Sequence, residues 1–111
     1  FAAGLGQRIQ NGGWNVYYNT ASGKQTARTA YNGMYVAAAG TGSLATALAK
    51  FSTSAGSVVI GAAALLAGIA MGALHLYSKD CRDKIDNHGN TGTARITLTE
   101  SRWSSKYDNR W

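Results

Sequence analysis

The side chains that could exchange protons near neutral pH are His75 and His88, with Glu100 as a carboxylate partner and Arg95 and Arg102 as phosphate holders. Brought together, they would form the set of a small ribonuclease, in which a histidine and a carboxylate pass protons while an arginine binds phosphate. Their positions read otherwise. His75 lies inside an apolar run, where a histidine with one hydrogen-bond partner is a structural residue, and His88 beside Gly89 suits a cation at a helix C-terminus. The sequence offers no metal-ligand spacing, no phosphate-binding glycine loop before a helix and no nucleophile elbow. It therefore predicts a non-enzymatic protein with no catalytic residue, no metal, no cofactor and no small-molecule substrate. His75 keeps one role. Because burial disfavours a charged imidazole, it is the candidate pH switch whose protonation would loosen its helix.

Cys81 is the single cysteine, so no internal disulfide framework exists and the apolar core must supply the stability. Leu74, Ser78, Cys81 and Ile85 recur at i, i+4, i+7 and i+11, which is one stripe of a helix. That spacing makes Cys81 a small buried hydrophobe rather than a reactive thiol.

The charges are unevenly spread. Lys and Arg number 11 against 5 Asp and Glu, for a formal net charge of +6, and no carboxylate precedes Asp80. Arg8, Lys24, Arg28 and Lys50 therefore stand without acidic neighbours in sequence and are the candidate contacts to an anionic surface. Nucleic acid would need stacking platforms beside such cations, and Trp14, Tyr17, Trp103 and Tyr107 near Arg95, Arg102 and Lys106 offer a set. Mutual packing of these aromatics on a sheet explains them more simply, so nucleic acid is not the expected partner.

Between Lys50 and Lys79 no side chain is charged, and residues 58–76 read VVIGAAALLAGIAMGALHL. A helix spanning a bilayer needs about 20 apolar residues. Val58, Val59, Ile60, Leu65, Leu66, Ile69, Leu74 and Leu76 each favour insertion by only about 0.3 to 0.6 kcal/mol. Gly61, Gly68, Gly72 and His75 oppose it. The run is a poor permanent span and is expected as a buried, membrane-active helix that can be released to lipid. Gly61, Gly68 and Gly72 would allow close helix packing, and 68–72 forms a GxxxG through which copies could self-associate.

These residues need a frame. Asn11-Gly12-Gly13 predicts a hairpin between strands 8–10 and 14–19, where Trp14, Val16 and Tyr18 alternate with polar positions. Residues 20–28 read as a polar loop, and 29–51 as a helix interrupted at 40–42. After a break at 52–56 a second helix is predicted over 57–87, ending in i,i+4 ion pairs between Lys79 and Asp83, Asp80 and Lys84, and Arg82 and Asp86. Strands follow at 94–99 and 102–111. The order β-β-α-α-β-β, in one domain over 1–111, predicts an α+β fold: an antiparallel sheet packed against a two-helix hairpin, with the Gly/Ala-rich helix at its centre.

The segments GSVVIGAAALLAGIAMGALHLY (56–77), WNVYYN (14–19) and ARITLT (94–99) give the chain a layout that resembles the secreted killer toxins of yeasts and smut fungi. The resemblance implies an α/β-sandwich antimicrobial toxin that binds a cell-wall or membrane receptor and permeabilises the plasma membrane of the target cell. Several such toxins are rich in disulfides, and the single Cys81 departs from them. A chain beginning at Phe1 without Met fits a processed, secreted product. The expected function is thus a secreted cationic cytotoxin. The rivals are an interaction module whose partner covers the apolar helix, and a small secreted ribonuclease.

Overall fold

Asn11 and Gly12 adopt φ of 53° and 77°, the left-handed pair that a two-residue hairpin turn demands. They join β1 (Leu5–Gln10) to β2 (Gly13–Tyr18), with Gln10 opposite Gly13 and Ile9 opposite Trp14. The hairpin expected there is present, and its first strand begins at Leu5. This computed structural model describes residues 3–40, 42–56 and 61–111. The chain continues through α1 (Ala21–Ala39), α2 (Leu44–Ala55), α3 (Ala62–Leu65), α4 (Met71–Asp86), β3 (Gly92–Ile96) and β4 (Ser101–Ser104). The strands form one antiparallel sheet in the order β1-β2-β3-β4, and the helices cover one face of it. The fold is α+β.

The core lies between sheet and helices. Trp14, Val16 and Tyr18 of β2 and Ala94 and Ile96 of β3 are buried against Tyr31 and Met34 of α1, Phe51 of α2, and Leu74, Cys81 and Ile85 of α4. Trp14, Tyr31 and Phe51 meet as a tilted aromatic trio, with Trp14 and Phe51 ring centres 4.8 Å apart and Tyr31 and Phe51 5.0 Å apart. Offset and edge contacts of this kind add stabilisation beyond area burial. The stripe Leu74, Ser78, Cys81, Ile85 faces inward as its spacing demands, and Ser78 returns its hydroxyl to the Leu74 carbonyl at 2.6 Å.

In place of the expected two-helix hairpin there are four helices among the described residues, and α1 packs antiparallel on the non-consecutive α4. Lys24 donates to the His88 carbonyl at 2.7 Å, Arg28 pairs with Asp86 at 3.1 Å, Arg82 donates to Asn32 at 2.8 Å, and His75 stacks on Tyr35. Asp86 therefore binds Arg28 instead of Arg82, which turns to Asp83 at 3.0 Å, while the expected Lys79–Asp83 and Asp80–Lys84 pairs form at 3.2 and 3.9 Å.

Three expectations about elements are corrected. Residues 20–28 are not a loop: Thr20 accepts from the Gly23 amide at 2.9 Å as an N-cap, and α1 begins at once. Gly23 signals close packing there, because a Cβ would sit 2.8 Å from the Gly4 carbonyl oxygen. The helix predicted over 57–87 is not continuous. Gly61 and Gly68 hold φ of +82° and +87°, which a right-handed helix cannot contain, and the turn between α3 and α4 is anchored by buried Leu66 and Ile69. The last strand ends at Ser104, and residues 105–111 fold back across the other face of the sheet.

Candidate functional site: an uncharged helical region and a basic sheet face

The residues named for membrane action are dispersed by the broken helix. Val58, Val59 and Ile60 lie outside the described residues. Leu65 is half-buried in α3, and Leu66, Ile69 and Leu74 are core. Leu76 is exposed at 62%, on the α4 face away from the core. Its counterpart on α1 is Val36, exposed at 60%, which sequence reasoning missed. The signal was present in the spacing, since each lies two positions, about 200° around the helix, from the buried Met34 or Leu74. Ala39, Ala63, Ala64, Ala67 and Ala70 are also exposed. From 29 to 78 the single charge is Lys50, exposed on α2. No helix among the described residues is long and apolar enough to cross a membrane.

The glycines singled out for helix packing serve turns. Gly61 and Gly68 take the left-handed conformation described above, and Gly72 sits in the first turn of α4 with open space where a Cβ would point. The GxxxG at 68–72 therefore spans a turn and a helix start, and presents no continuous helical groove in this structure.

His75 is half-buried, stacked on Tyr35 at 4.2 Å between ring centres, with Nδ1 3.0 Å from the Tyr35 carbonyl oxygen. His88 lies beyond the end of α4, its Nδ1 2.6 Å from the Lys84 carbonyl oxygen and its ring stacked on Trp103. Thirteen residues of mostly helical rise separate the two by roughly 20 Å, so they do not share one proton-transfer site. Among the described residues no cavity is present, and no cluster of His, Cys, Asp or Glu could hold a metal ion. Burial pushes the Cys81 thiol far above its ordinary range.

The proposed anionic-surface cations differ in availability. Arg8 is paired with Asp108, which holds its guanidinium above its ordinary range, and Arg28 is paired with Asp86. Lys24 is tied to a carbonyl, and Lys50 stands without a carboxylate partner among the described residues.

A second feature emerges only once the strands are paired. Registers place Arg8 opposite Asn15, Asn15 opposite Arg95, and Arg95 opposite Arg102, so three arginines and an asparagine form a row across all four strands. At about 4.8 Å per strand the row is roughly 14 Å long. Like charges directly opposite each other are unfavourable in a sheet, and Arg102 together with burial lowers the Arg95 pKa, burial being the larger cause. Arg95, 5% exposed, donates to the carbonyls of Gln10 and Asn11 and to Asn15 Oδ1 at 2.9 to 3.0 Å, locking the hairpin turn.

Segment 105–111 lies over this row. Thr93 Oγ1 donates to the Lys106 carbonyl at 2.8 Å and accepts from the Asn109 amide at 3.0 Å, while Asn15 Nδ2 donates to the Asn109 carbonyl at 3.2 Å. Tyr107 packs edge-on against Tyr17 at 5.1 Å, Asp108 binds Arg8, and Arg102 sits 5.2 Å over the Trp111 ring. Asn11 and Gln10 donate to the Trp111 carbonyl at 2.8 and 3.2 Å. Asn15 and Thr93 are thereby fully buried. Of the aromatic set weighed for stacking, Tyr17 and Tyr107 are on this face, whereas Trp14 is in the core and Trp103 donates to the Tyr18 hydroxyl at 2.9 Å. No protein-family model, no curated protein and no solved structure matches this chain.

Proposed function

We propose that this protein is a secreted cationic cytotoxin that docks its uncharged helical region on the anionic plasma membrane of a target cell and permeabilises it. The observation that carries this reading is the single charge, Lys50, in residues 29–78, together with Val36 and Leu76 standing 60% and 62% exposed on that region. An anionic headgroup meets no acidic side chain there, and each nearby lysine or arginine adds about 1 kcal/mol of attraction at such a surface. The apolar side chains then enter the boundary between headgroups and acyl chains, as an interfacial surface does. The broken helix alters the expected mechanism. Docking comes first, and loosening of the turn that holds Leu66 and Ile69 follows, since no described helix spans a bilayer as it stands.

Release of a trapped dye from phosphatidylserine-containing vesicles, compared with phosphatidylcholine vesicles, tests the reading. The wild type should release dye from the anionic vesicles alone. Val36→Ser combined with Leu76→Ser, both exposed, should leave thermal stability within a few degrees and lower release at least tenfold. Undiminished release by that folded variant, or equal release from both vesicle types, would count against it.

A further inference from the structure

We infer that the outer face of the sheet, crossed by the row Arg8, Asn15, Arg95 and Arg102, is a docking face for a short peptide in which an aromatic residue precedes an acid, and that segment 105–111 occupies it in cis. The occupant defines the chemistry. Its backbone is read by side chains of the sheet: Thr93 and Asn15 take the Lys106 and Asn109 carbonyls and the Asn109 amide, and Asn11 and Gln10 take the Trp111 carbonyl. Hydrogen bonds to main-chain groups of this kind supply affinity and leave specificity to the side-chain contacts.

Specificity comes from two neighbouring positions. Tyr107 lies edge-on to Tyr17, whose ring also carries the Arg8 guanidinium 5.6 Å from its centre, and the Asp108 carboxylate binds Arg8. An aromatic residue followed by an acid is therefore what the face selects. The sheet contributes Arg8, Arg95 and Arg102 to this face, and Glu100, in the turn before β4, already faces Arg102 at 3.8 Å. The charge left for an incoming carboxylate is at Arg8.

The cis occupant is also held in a form that favours exchange. Asp108 takes φ of 54°, in the left-handed region that Asp enters more readily than most residues, and its second oxygen lies 3.4 Å from Arg110. The segment has no helix or strand of its own and no ladder to the sheet. A peptide in trans that supplies the aromatic and the carboxylate, with the same turn at its Asp, replaces it contact for contact. This inference is independent of the membrane reading, because docking on lipid uses the opposite layer of the molecule.

The test uses the full chain and a fluorescent, amidated peptide with the sequence of 105–111, Ser-Lys-Tyr-Asp-Asn-Arg-Trp. Asp108→Ala frees Arg8, so the peptide should bind this variant at least tenfold more tightly than wild type, and a peptide with Ala in place of its Asp should bind neither. Asp108→Asn, which keeps the side-chain volume, serves the same purpose if the alanine variant does not fold. In the wild type, millimolar peptide should speed hydrogen exchange at the Asn109 amide at least several-fold as the cis segment is displaced. Equal affinity for wild type and a folded Asp108 variant overturns the inference, as does equal binding of the two peptides. Unchanged Asn109 exchange would overturn it too, and so would a sulfated oligosaccharide that binds where the peptide does not.

Discussion

The Tyr31 hydroxyl is buried without a hydrogen-bond partner among the described residues, in the aromatic trio with Trp14 and Phe51. Burial pushes its pKa well above the ordinary phenol range, which reflects the same lack of water around the oxygen. Leaving a buried donor unpaired costs about 1 to 3 kcal/mol, whereas the ring itself is well packed. Tyr31→Phe should therefore stabilise the protein by about 1 kcal/mol, read as a higher urea midpoint at unchanged slope. A lower midpoint would mean that the hydroxyl is satisfied and the oxygen contributes. At this scale the sequence was legible where one helix stripe decided the outcome: the spacing of Leu74, Ser78, Cys81 and Ile85 marked all four as core. Arg95 was not legible, because a guanidinium 5% exposed is stable only through the carbonyls of a turn more than eighty residues earlier in the chain. Likewise Arg8 reads as a free cation until Asp108 is seen beside it.

Elements were legible in proportion to how locally they are specified. The hairpin around Asn11 and Gly12 follows from two residues that tolerate positive φ, and the alternation of Trp14, Val16 and Tyr18 fixed which side of β2 faces the helices. The apolar run misled, because uninterrupted hydrophobicity reads equally as one helix or as short pieces whose turns are buried. What decides is the conformation of Gly68, and that follows from Leu66 and Ile69 both reaching the core from a tight turn. Gly68 and Gly72 are consequently opposite cases, although a Cβ would meet open space at both. Gly68→Ala forces an L-residue into the left-handed region and should destabilise by about 1 to 2 kcal/mol. Gly72→Ala, inside the first turn of α4, restricts the unfolded chain and should stabilise by about 0.5 to 1 kcal/mol. Thermal melts of the two single variants check this. Equal shifts of the same sign would return both glycines to one continuous helix.

For the whole molecule the two layers carry different kinds of surface, and net charge alone hides this. The second half of α4, the turn before β4 and segment 105–111 bear every carboxylate, each within 4.0 Å of at least one Lys or Arg. Residues 29–78 of the helical layer bear only Lys50. The excess of positive charge visible in the sequence is therefore partly spent in ion pairs, and what a membrane would meet depends on which side approaches. Orientation can be separated from total charge with two substitutions that change the net charge equally. Lys50→Glu places an acid in the uncharged helical layer, and Lys106→Glu places one in the segment over the opposite, outer face of the sheet. At about 1 kcal/mol per charge near an anionic bilayer, Lys50→Glu should weaken binding to phosphatidylserine vesicles by tenfold or more at low salt. Lys106→Glu should change it by less than about threefold, because a charge on the far side lies more than one Debye length, about 10 Å at 0.1 M salt, from the lipid. Raising the salt to 1 M, where that length falls to about 3 Å, should bring Lys50→Glu and wild type together. Vesicle sedimentation at the two salt concentrations measures all of these. Equal losses for the two variants would show that the protein meets the membrane by net charge without a preferred face, and the uncharged helical layer would then be a surface for something other than lipid.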